Sequence, residues 1–448
     1  MPGLTFIYSV LHHVPSWTYE WYSDPISFQC LEKLQRGWGL PMSASAVCHP
    51  VADLPALSNK SHSIVVGVTS SHTCVVLRGR LRALREAGFQ VTLVASPGEL
   101  LDSTAASEGV ESIAISMQRQ IAPIADLVSL FRLWRLMRRL KPDMVEFSTP
   151  KAGLLGTMAA WLCGVPRRVY MLRGLKLETT TGFKRRILLW AERLAAAGAH
   201  VVLCNSNSLR TEALALGVAP AAKLLLLGDG SSNGVDMDRY SPGASNVRER
   251  YGLPQDAHVV GFVGRLTRDK GLPELIEAFD AILRAEPMAH LLLVGWYDAS
   301  EDSLDDDVRG RIESHSRIHI TGFVNGTAPF YRAMDVMVLP TWREGFPNVV
   351  LEAAATGIPV VTKQSTGSRD SVVPEVTGLL IPPGYPEAIS EAVLKLLRDP
   401  ERRKRMGHAA RAWVLEHFID EQVLGRTANY YKSLLLPPAS GETSQEVY

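Results

Sequence analysis

Residues 63–95, SIVVGVTSSHTCVVLRGRLRALREAGFQVTLVA, contain a complete strand–helix–strand unit. SIVVGVT (63–69) is a β-branched run ending in small polar residues. VVLRGRLRALREAGF reads as one amphipathic helix stopping at Gly88, and QVTLVA (90–95) is a second apolar run. Apolar runs of this kind, joined by a helix within about 30 residues, imply parallel strands covered on both faces. The same pattern recurs downstream. DMVEFS (143–148), a small-residue helix from Gly153 to Cys163, RRVYML (167–172), a helix around 183–197, HVVLCNS (200–206), a helix from Ser208 and KLLLLG (223–228) continue the series.

The rhythm lapses at VDMDRYSPGASNVRERYGLPQD, rich in turn formers, which marks a linker near 236–255. A second series then follows. Its strands are HVVGFVGRL, HLLLVGW (290–296), IHITGFV (318–324), DVMVLPT (335–341), PVVT (359–362) and TGLLIPP (377–383), with helices expected at 273–286, 304–315, 327–333 and from Asn348. Two closing helices are expected, at 386–398 and 401–433. The fold class is therefore α/β: two doubly wound, Rossmann-like domains facing a central cleft, with the terminal helix returning to the first domain. The expected division is a poorly ordered extension at 1–61, an N-terminal domain at 62–235, a C-terminal domain at 236–425 and a terminal helix and tail at 426–448.

A chain of 448 residues exceeds what one core normally supports, which agrees with two domains. At 46% hydrophobic and 21% charged it is neither disordered nor a disulfide scaffold, and five scattered cysteines without a CxxC pair fit a reducing compartment. Residues 62–235 carry 21 Lys+Arg against 12 Asp+Glu, whereas 236–448 carry 23 against 30. A basic half and an acidic half imply different partners.

Several motifs are decoys. GDGSSNG (228–234) lacks the dinucleotide spacing and does not run into a helix, and no P-loop pattern occurs. Asp302, Asp305, Asp306 and Asp307 open an expected helix, where carboxylates meet the positive end of its dipole. No metal site is expected.

The informative residues lie in the second half. GFVGRLTRDKG (261–271) puts Arg265 and Lys270 between a strand end and a helix start, placed to hold a diphosphate, with glycines permitting close approach. In PTWREGFPNVVLEAAATGIPVV (340–361), Glu344 lies in the loop, Gly345 gives a flexible turn, and Glu352 is carried by a very apolar helix beginning near Asn348. Backbone N–H groups at such a helix start receive anionic or polar groups. A carboxylate on an apolar helix needs a hydrogen-bonding partner, a role that sugar hydroxyls would serve.

With E-x7-E at Glu344–Glu352 and G-R-L-x-x-x-K-G at Gly264–Gly271, residues 63–433 resemble the family 4 retaining glycosyltransferases of GT-B fold. STPKAGLLG (148–156), RGLKLET (173–179), NSNSLR (205–210) and LGDGSSNGVD (227–236) resemble the subgroup that builds exopolysaccharide, capsule or lipid-linked glycan precursors. The resemblance implies that Arg265 and Lys270 stabilise the departing nucleoside diphosphate and that Glu344 works beside them. Gly264, Gly345, Phe346, Asn348, Val349 and Glu352 would bind the donor, with the backbone of Phe323 and Val324 against the base. Ser70, Ser71, Thr149, Lys151 and Arg173 would form the acceptor side. Ser148 and Thr149 stand where many relatives carry a histidine.

The implied activity is a metal-independent, retaining transfer of a hexose from a UDP-sugar, a co-substrate rather than a cofactor, to a polyprenyl-diphosphate-linked saccharide. A nucleotide-sugar epimerase on the same fold, or a non-catalytic nucleotide-sugar binder, are the alternatives. Residues 124–143 read as a basic amphipathic helix with Leu127, Phe131, Trp134 and Leu140 on one face, and Lys184, Arg185 and Arg186 sit beside Phe183 and Trp190. Such helices lie either on a core or on an anionic membrane. The expected location is cytoplasmic, peripheral on the inner membrane face, with no nucleic acid as partner.

Overall fold

The computed structural model describes residues 61–298 and 301–436. Apart from Ser61, the extension expected over 1–61 lies outside the described residues, as does the tail from 437 onwards. In the first lobe the elements are β1 (His62–Gly67), α1 (Arg80–Glu86), β2 (Phe89–Ala95), α2 (Glu99–Glu108), β3 (Glu111–Ala114), α3 (Pro123–Leu140), β4 (Met144–Ser148), α4 (Pro150–Leu162), β5 (Arg167–Leu172), α5 (Gly182–Gly198), β6 (Val201–Cys204), α6 (Asn207–Ala215) and β7 (Leu224–Leu226). After a short α7 (Val247–Arg250), the second lobe comprises β8 (His258–Val263), α8 (Leu272–Ala285), β9 (Ala289–Val294), α9 (Asp306–Ser314), β10 (Ile318–Ile320), α10 (Ala328–Tyr331), β11 (Val336–Leu339), α11 (Asn348–Ala355), β12 (Val360–Lys363), β13 (Gly378–Ile381), α12 (Pro386–Leu397) and α13 (Pro400–His417). The last described helix is α14 (Asp420–Leu435).

The strands form two parallel sheets, ordered β3-β2-β1-β4-β5-β6-β7 and β10-β9-β8-β11-β12-β13. In each, the order reverses beside the first strand, so the carboxyl ends open a crevice at that point. The β1 register sets Ile64 between Val91 and Met144, residues almost wholly withdrawn from water. Around the second sheet, Leu272, Leu275, Ile276, Phe279 and Ile282 of α8 repeat every three or four residues and face the core.

Three expectations change. The helix expected at 75–88 is broken: a 3-10 turn over Ser71–Leu77 is followed by Arg78 in an extended conformation and Gly79 at φ 77° before α1 begins. A left-handed residue cannot be carried inside an α-helix, and glycine takes it at least cost. The helix expected at 401–433 is likewise two, α13 and α14, parted at Phe418–Ile419, where Val235 donates to the Phe418 carbonyl and Asp420 donates back to Val235. That pairing also locates the Gly-rich 228–234 stretch: it leads the chain across to α14. Of the four aspartates read as a helix start, Asp305 is the N-cap of α9 and Asp306 and Asp307 lie in its first turn. The Asp302 carbonyl instead accepts from the Arg268 amide. Strand β3 and helix α2 have no counterpart in the sequence reading, and β3 has only half-buried or exposed residues.

After leaving the second lobe, α14 packs its Ala428, Tyr430 and Tyr431 into the core built on β1, β2 and α1. Tyr431 donates to Glu146 on β4, and Arg80 on α1 donates to Glu146, to Tyr431 and to the Ser232 carbonyl of the Gly-rich 228–234 segment. One buried guanidinium therefore ties together three passages of the chain.

Candidate active site

The β8–α8 connection carries the first cations. Gly271, at φ 76°, turns the chain into α8, and a Cβ there would lie 2.0 Å from the Pro340 carbonyl oxygen. That close approach holds Lys270 against the loop after β11, where its Nζ is ion-paired with Glu344 Oε1. Arg265 has a different partner set. Its Nη1 lies 2.7 Å from Asp298 Oδ2 and its Nη2 3.6 Å from Asp269 Oδ2. Burial works against its charge, but Asp298 and Asp269 more than compensate and hold its pKa above the usual value. Asp269 also receives Arg343 Nη2 at 3.0 Å and, despite burial, its carboxyl is held low by Lys270, Thr267 and Arg343. Lys270 and Arg265 thus stand in one network of alternating charge beside Glu344, with side-chain exposures of 16% and 33%.

The start of α11 completes this wall. Among the described residues, the N–H groups of Gly345, Phe346, Asn348 and Val349 meet no acceptor, whereas the Glu344 amide donates to Thr366 and that of Val350 to Pro347. Unpaired amides at a helix N-terminus carry partial positive charge and suit an anion or a row of hydroxyls. Phe346 is buried against Phe418, which fixes the loop from below. The Asn348 side chain accepts from Ser231, a residue of the Gly-rich crossing segment, at 3.2 Å.

Glu352 has partners within the protein: Thr327 and Tyr331 donate to Oε2 at 3.0 and 2.9 Å. Burial raises its pKa, moderated by those two hydroxyls. Both bonds fall on one oxygen of the carboxylate. Phe323 is exposed beyond β10, its ring edge-to-face with Trp296 at 5.3 Å, and Val324 packs against the second-lobe core. Gly264 extends β8 by a bond from its amide to the Val294 carbonyl.

The facing wall comes from the first lobe. Gly345 has no side chain because a Cβ would fall 2.3 Å from the Arg173 carbonyl oxygen. Around this contact Arg343 donates to Thr179 (2.8 Å), Thr366 to Glu178 (2.6 Å), and Ser208 pairs with Asp370. Arg173 itself donates through Nη1 to Ser232 Oγ at 2.8 Å, while its buried Nε and Nη2 have no partner. Burial and the neighbouring Arg80 push its pKa down to about 10.

The remaining acceptor-side residues are less uniform. Thr149, at φ 72°, shares a hydrogen bond with Thr69 Oγ1 at 2.6 Å and marks the strained start of α4. Ser148 is buried with its hydroxyl unpaired. Ser70 precedes the 3-10 turn and its carbonyl accepts from the Thr73 amide, while Ser71 turns inward against Gly98. Lys151 is neutralised by Asp126, 2.7 Å away, so a phosphate there would compete with a carboxylate.

The sequence reading missed Asp298, Asp269 and Arg343 around Arg265 and Lys270, Thr327 and Tyr331 under Glu352, and the Arg80–Glu146–Tyr431 knot. Apart from Asp269, which lies four residues from Arg265, they act across long sequence separations. Only Arg80 and Glu146, charged residues within apolar runs, left a local signal. Among the described residues no group of three or more His, Cys, Asp or Glu is placed to hold a metal ion.

Known proteins match both lobes. The family model for a glycosyl transferase 4-like domain covers residues 75–230, and that for glycosyl transferases group 1 covers 257–399. A capsular polysaccharide biosynthesis glycosyltransferase, CapM of Staphylococcus aureus, is 34% identical over 377 residues, spanning 84% of this chain and 98% of that protein. An Escherichia coli UDP-Gal:alpha-D-GlcNAc-diphosphoundecaprenol alpha-1,3-galactosyltransferase is 28% identical over 63% of this chain and 73% of its own. In fold, the chain is similar to Anabaena HepE, solved with UDP and glucose, at a TM-score of 0.71 and 19% identity over 83% of this chain and all of that one. Similarity of this extent, running through both lobes and along nearly the whole of CapM, means that the chain belongs to the family 4-type glycosyltransferases of GT-B fold.

Proposed function

We propose that this glycosyltransferase moves a hexose from a UDP-sugar to a saccharide carried on a polyprenyl diphosphate, with retention of configuration and without a metal ion. The observation that carries the reading is the meeting of Lys270, Arg265 and Glu344 with the unpaired amides at the start of α11. Breaking the bond between sugar and diphosphate builds positive charge on the anomeric carbon and negative charge on the departing group. Lys270 and Arg265 are placed to take the negative charge, and Glu344 with the Gly345–Val349 amides to hold the sugar hydroxyls. Fixed donors aimed at a developing charge are the most effective form of such stabilisation. On binding, the donor diphosphate takes over Lys270 from Glu344 and frees that carboxylate for a hydroxyl. The acceptor hydroxyl then attacks from the side of the leaving group.

The E. coli relative's printed acceptor, a diphosphoundecaprenol sugar, and the capsule assignment of CapM support the lipid-linked acceptor. The UDP in HepE supports the donor nucleotide. The basic first lobe supports work at an anionic membrane surface. Because a putative UDP-N-acetylglucosamine 2-epimerase has a similar fold, at a TM-score of 0.60, fold alone does not separate transfer from epimerisation.

Purified protein incubated with a panel of UDP-sugars and a polyprenyl-diphosphate saccharide decides the matter. Labelled lipid together with released UDP is the expected result. A free epimer formed without acceptor, or binding of UDP-sugar with no release of UDP, would overturn it.

A further inference from the structure

Helices α3, α4 and α5 lie on one face of the first sheet. Each joins β-strands while the chain moves in one direction across it, β3 to β4 to β5 to β6, and right-handed crossovers place such helices on a common side. The middle helix, α4, is largely buried, and α3 and α5 flank it.

The two flanking helices are apolar on the wrong side. On α3, Leu133, Leu136 and Met137 fill the core, yet Ile124, Leu127, Val128 and Phe131 form a second stripe at i, i+3, i+4, i+7 that faces water, Ile124 being 82% exposed. On α5 the inversion is sharper. Its buried face is Glu192, Ala195, Ala196 and Gly198, with Leu188 and Leu189 half-buried beside them, while Phe183, Ile187, Trp190 and Leu194 point outward, Phe183 at 76% and Trp190 at 62% exposure. Packing inside the lobe does not account for large aromatic side chains outside and alanines inside. Contiguous apolar surface of this kind marks an interaction site.

The charges on the same helices identify the occupant. Arg132, Arg135, Arg138 and Arg139 lie on α3, and Lys184, Arg185, Arg186 and Arg193 on α5. These helices hold only two carboxylates, and both are engaged elsewhere: Asp126 with Lys151, and Glu192, buried, with the Tyr170 hydroxyl at 2.6 Å. Lys184 is paired with Glu301 of the second lobe. An apolar stripe edged by cations, with no free carboxylate, is complementary to an anionic lipid bilayer: the rings enter the acyl boundary and the cations meet the headgroups. Parallel to one another, α3, α4 and α5 begin at the carboxyl ends of the strands, so the stripes border the start of α4, where Lys151 and Thr149 stand. Among the described residues no helix is long and apolar enough to cross a membrane, so attachment here is to the surface.

We infer that the outward stripes of α3 and α5 form a membrane-docking edge that inserts into anionic lipid and holds the cleft against it. The inference rests on the lipid-linked-acceptor reading for its purpose but not for its physics.

Flotation of the full chain with vesicles of phosphatidylglycerol and phosphatidylethanolamine, against phosphatidylcholine vesicles, tests it. The wild type is expected to float with the anionic vesicles. A Phe131→Ser, Trp190→Ser variant should lose at least tenfold in partitioning while keeping its melting temperature and its UDP affinity. Arg186→Glu, which leaves the apolar stripes intact, should lose severalfold. Wild-type protein that stays in solution, or a double variant that floats as before, overturns the docking edge. So does a lipid-free dimer that the double variant splits, since a second copy would then be the occupant. Transfer to a short-chain, water-soluble polyprenyl-diphosphate saccharide separates the two readings. Its persistence without flotation defeats the docking edge alone, whereas flotation without transfer to any such acceptor defeats the acceptor reading and leaves the docking edge standing.

Discussion

Each lobe holds a group of cations, and the two groups are balanced differently. In the second lobe each cation already has a carboxylate: Lys270 has Glu344, Arg265 has Asp298, and Arg343 has Asp269. In the first lobe two arginines share one. Glu146 takes Arg80 at 2.8 Å, and Arg173 stands beside that pair with two buried nitrogens unpaired. On the proposed reading exchange governs the second lobe: an incoming diphosphate would replace the carboxylates that now pair with Lys270 and Arg265. A standing excess of positive charge governs the first, held in place by packing.

That contrast is most severely tested at Glu146. Removing the single carboxylate leaves two buried guanidinium groups uncompensated, and breaking a buried pair in this way costs about 3–5 kcal/mol. Glu146→Gln is therefore expected to lower the free energy of unfolding by that amount in a urea titration. A loss under about 1 kcal/mol would mean that the first-lobe cluster is not under strain.

Lys270→Ala probes the opposite lobe. Losing one donor to a developing charge costs about 2.7–4 kcal/mol, or roughly 10²–10³ in turnover. Steady-state transfer should fall by that factor, with the melting temperature close to wild type because Lys270 is replaceable in the resting network. Arg173→Met should behave differently again. It should leave stability unchanged or slightly raised, because a repelled cation is gone, while raising KM for the lipid acceptor about tenfold and leaving KM for the donor near wild type. Equal effects on both KM values would erase the distinction between the two walls.

Much of this arrangement is legible in the primary structure because it is local. Apart from β3, the strands of both sheets lie in largely apolar runs, and Arg265, Lys270, Glu344 and Asn348 sit in short motifs that follow strand ends. What could not be read depends on distance. Tyr331 and Thr327 reach Glu352 Oε2 from a different helix and loop, so nothing near Glu352 in the sequence announces those two bonds. Arg78 and Gly79 break a helix that periodicity made continuous, since periodicity records which face is apolar and not whether φ is negative. Strand β3 has only half-buried or exposed residues, so it lacked the signal by which its neighbours were found. Residues 124–143 gave an amphipathic pattern without a direction: Leu127 and Phe131, expected on one face with Trp134 and Leu140, lie on the open side.

Glu192 gives a smaller effect, from a carboxyl with no cation at all. Burial pushes its pKa up to about 7, only partly relieved by the Tyr170 hydroxyl. A folded-state pKa above the unfolded value contributes stability that is fully present below about pH 4.5 and is lost as pH rises through about 7. Wild-type protein should thus lose on the order of 2 kcal/mol between about pH 5 and pH 8, while Glu192→Gln, which keeps an acceptor for Tyr170, should show a flatter profile in thermal melts. Parallel profiles would contradict the assignment. The smallest expected effect is that of chelation: treatment with EDTA should leave transfer within about twofold, and a full loss restored by Mg²⁺ or Mn²⁺ would transfer the role of the second-lobe cations to a metal.

A crystal structure of the protein with UDP bound tests the central claim most directly. The account predicts the diphosphate within hydrogen-bonding distance of Lys270 Nζ and the Arg265 guanidinium, at the amides that open α11, with the Lys270–Glu344 pair released. Diphosphate density elsewhere, with that ion pair intact, would contradict it.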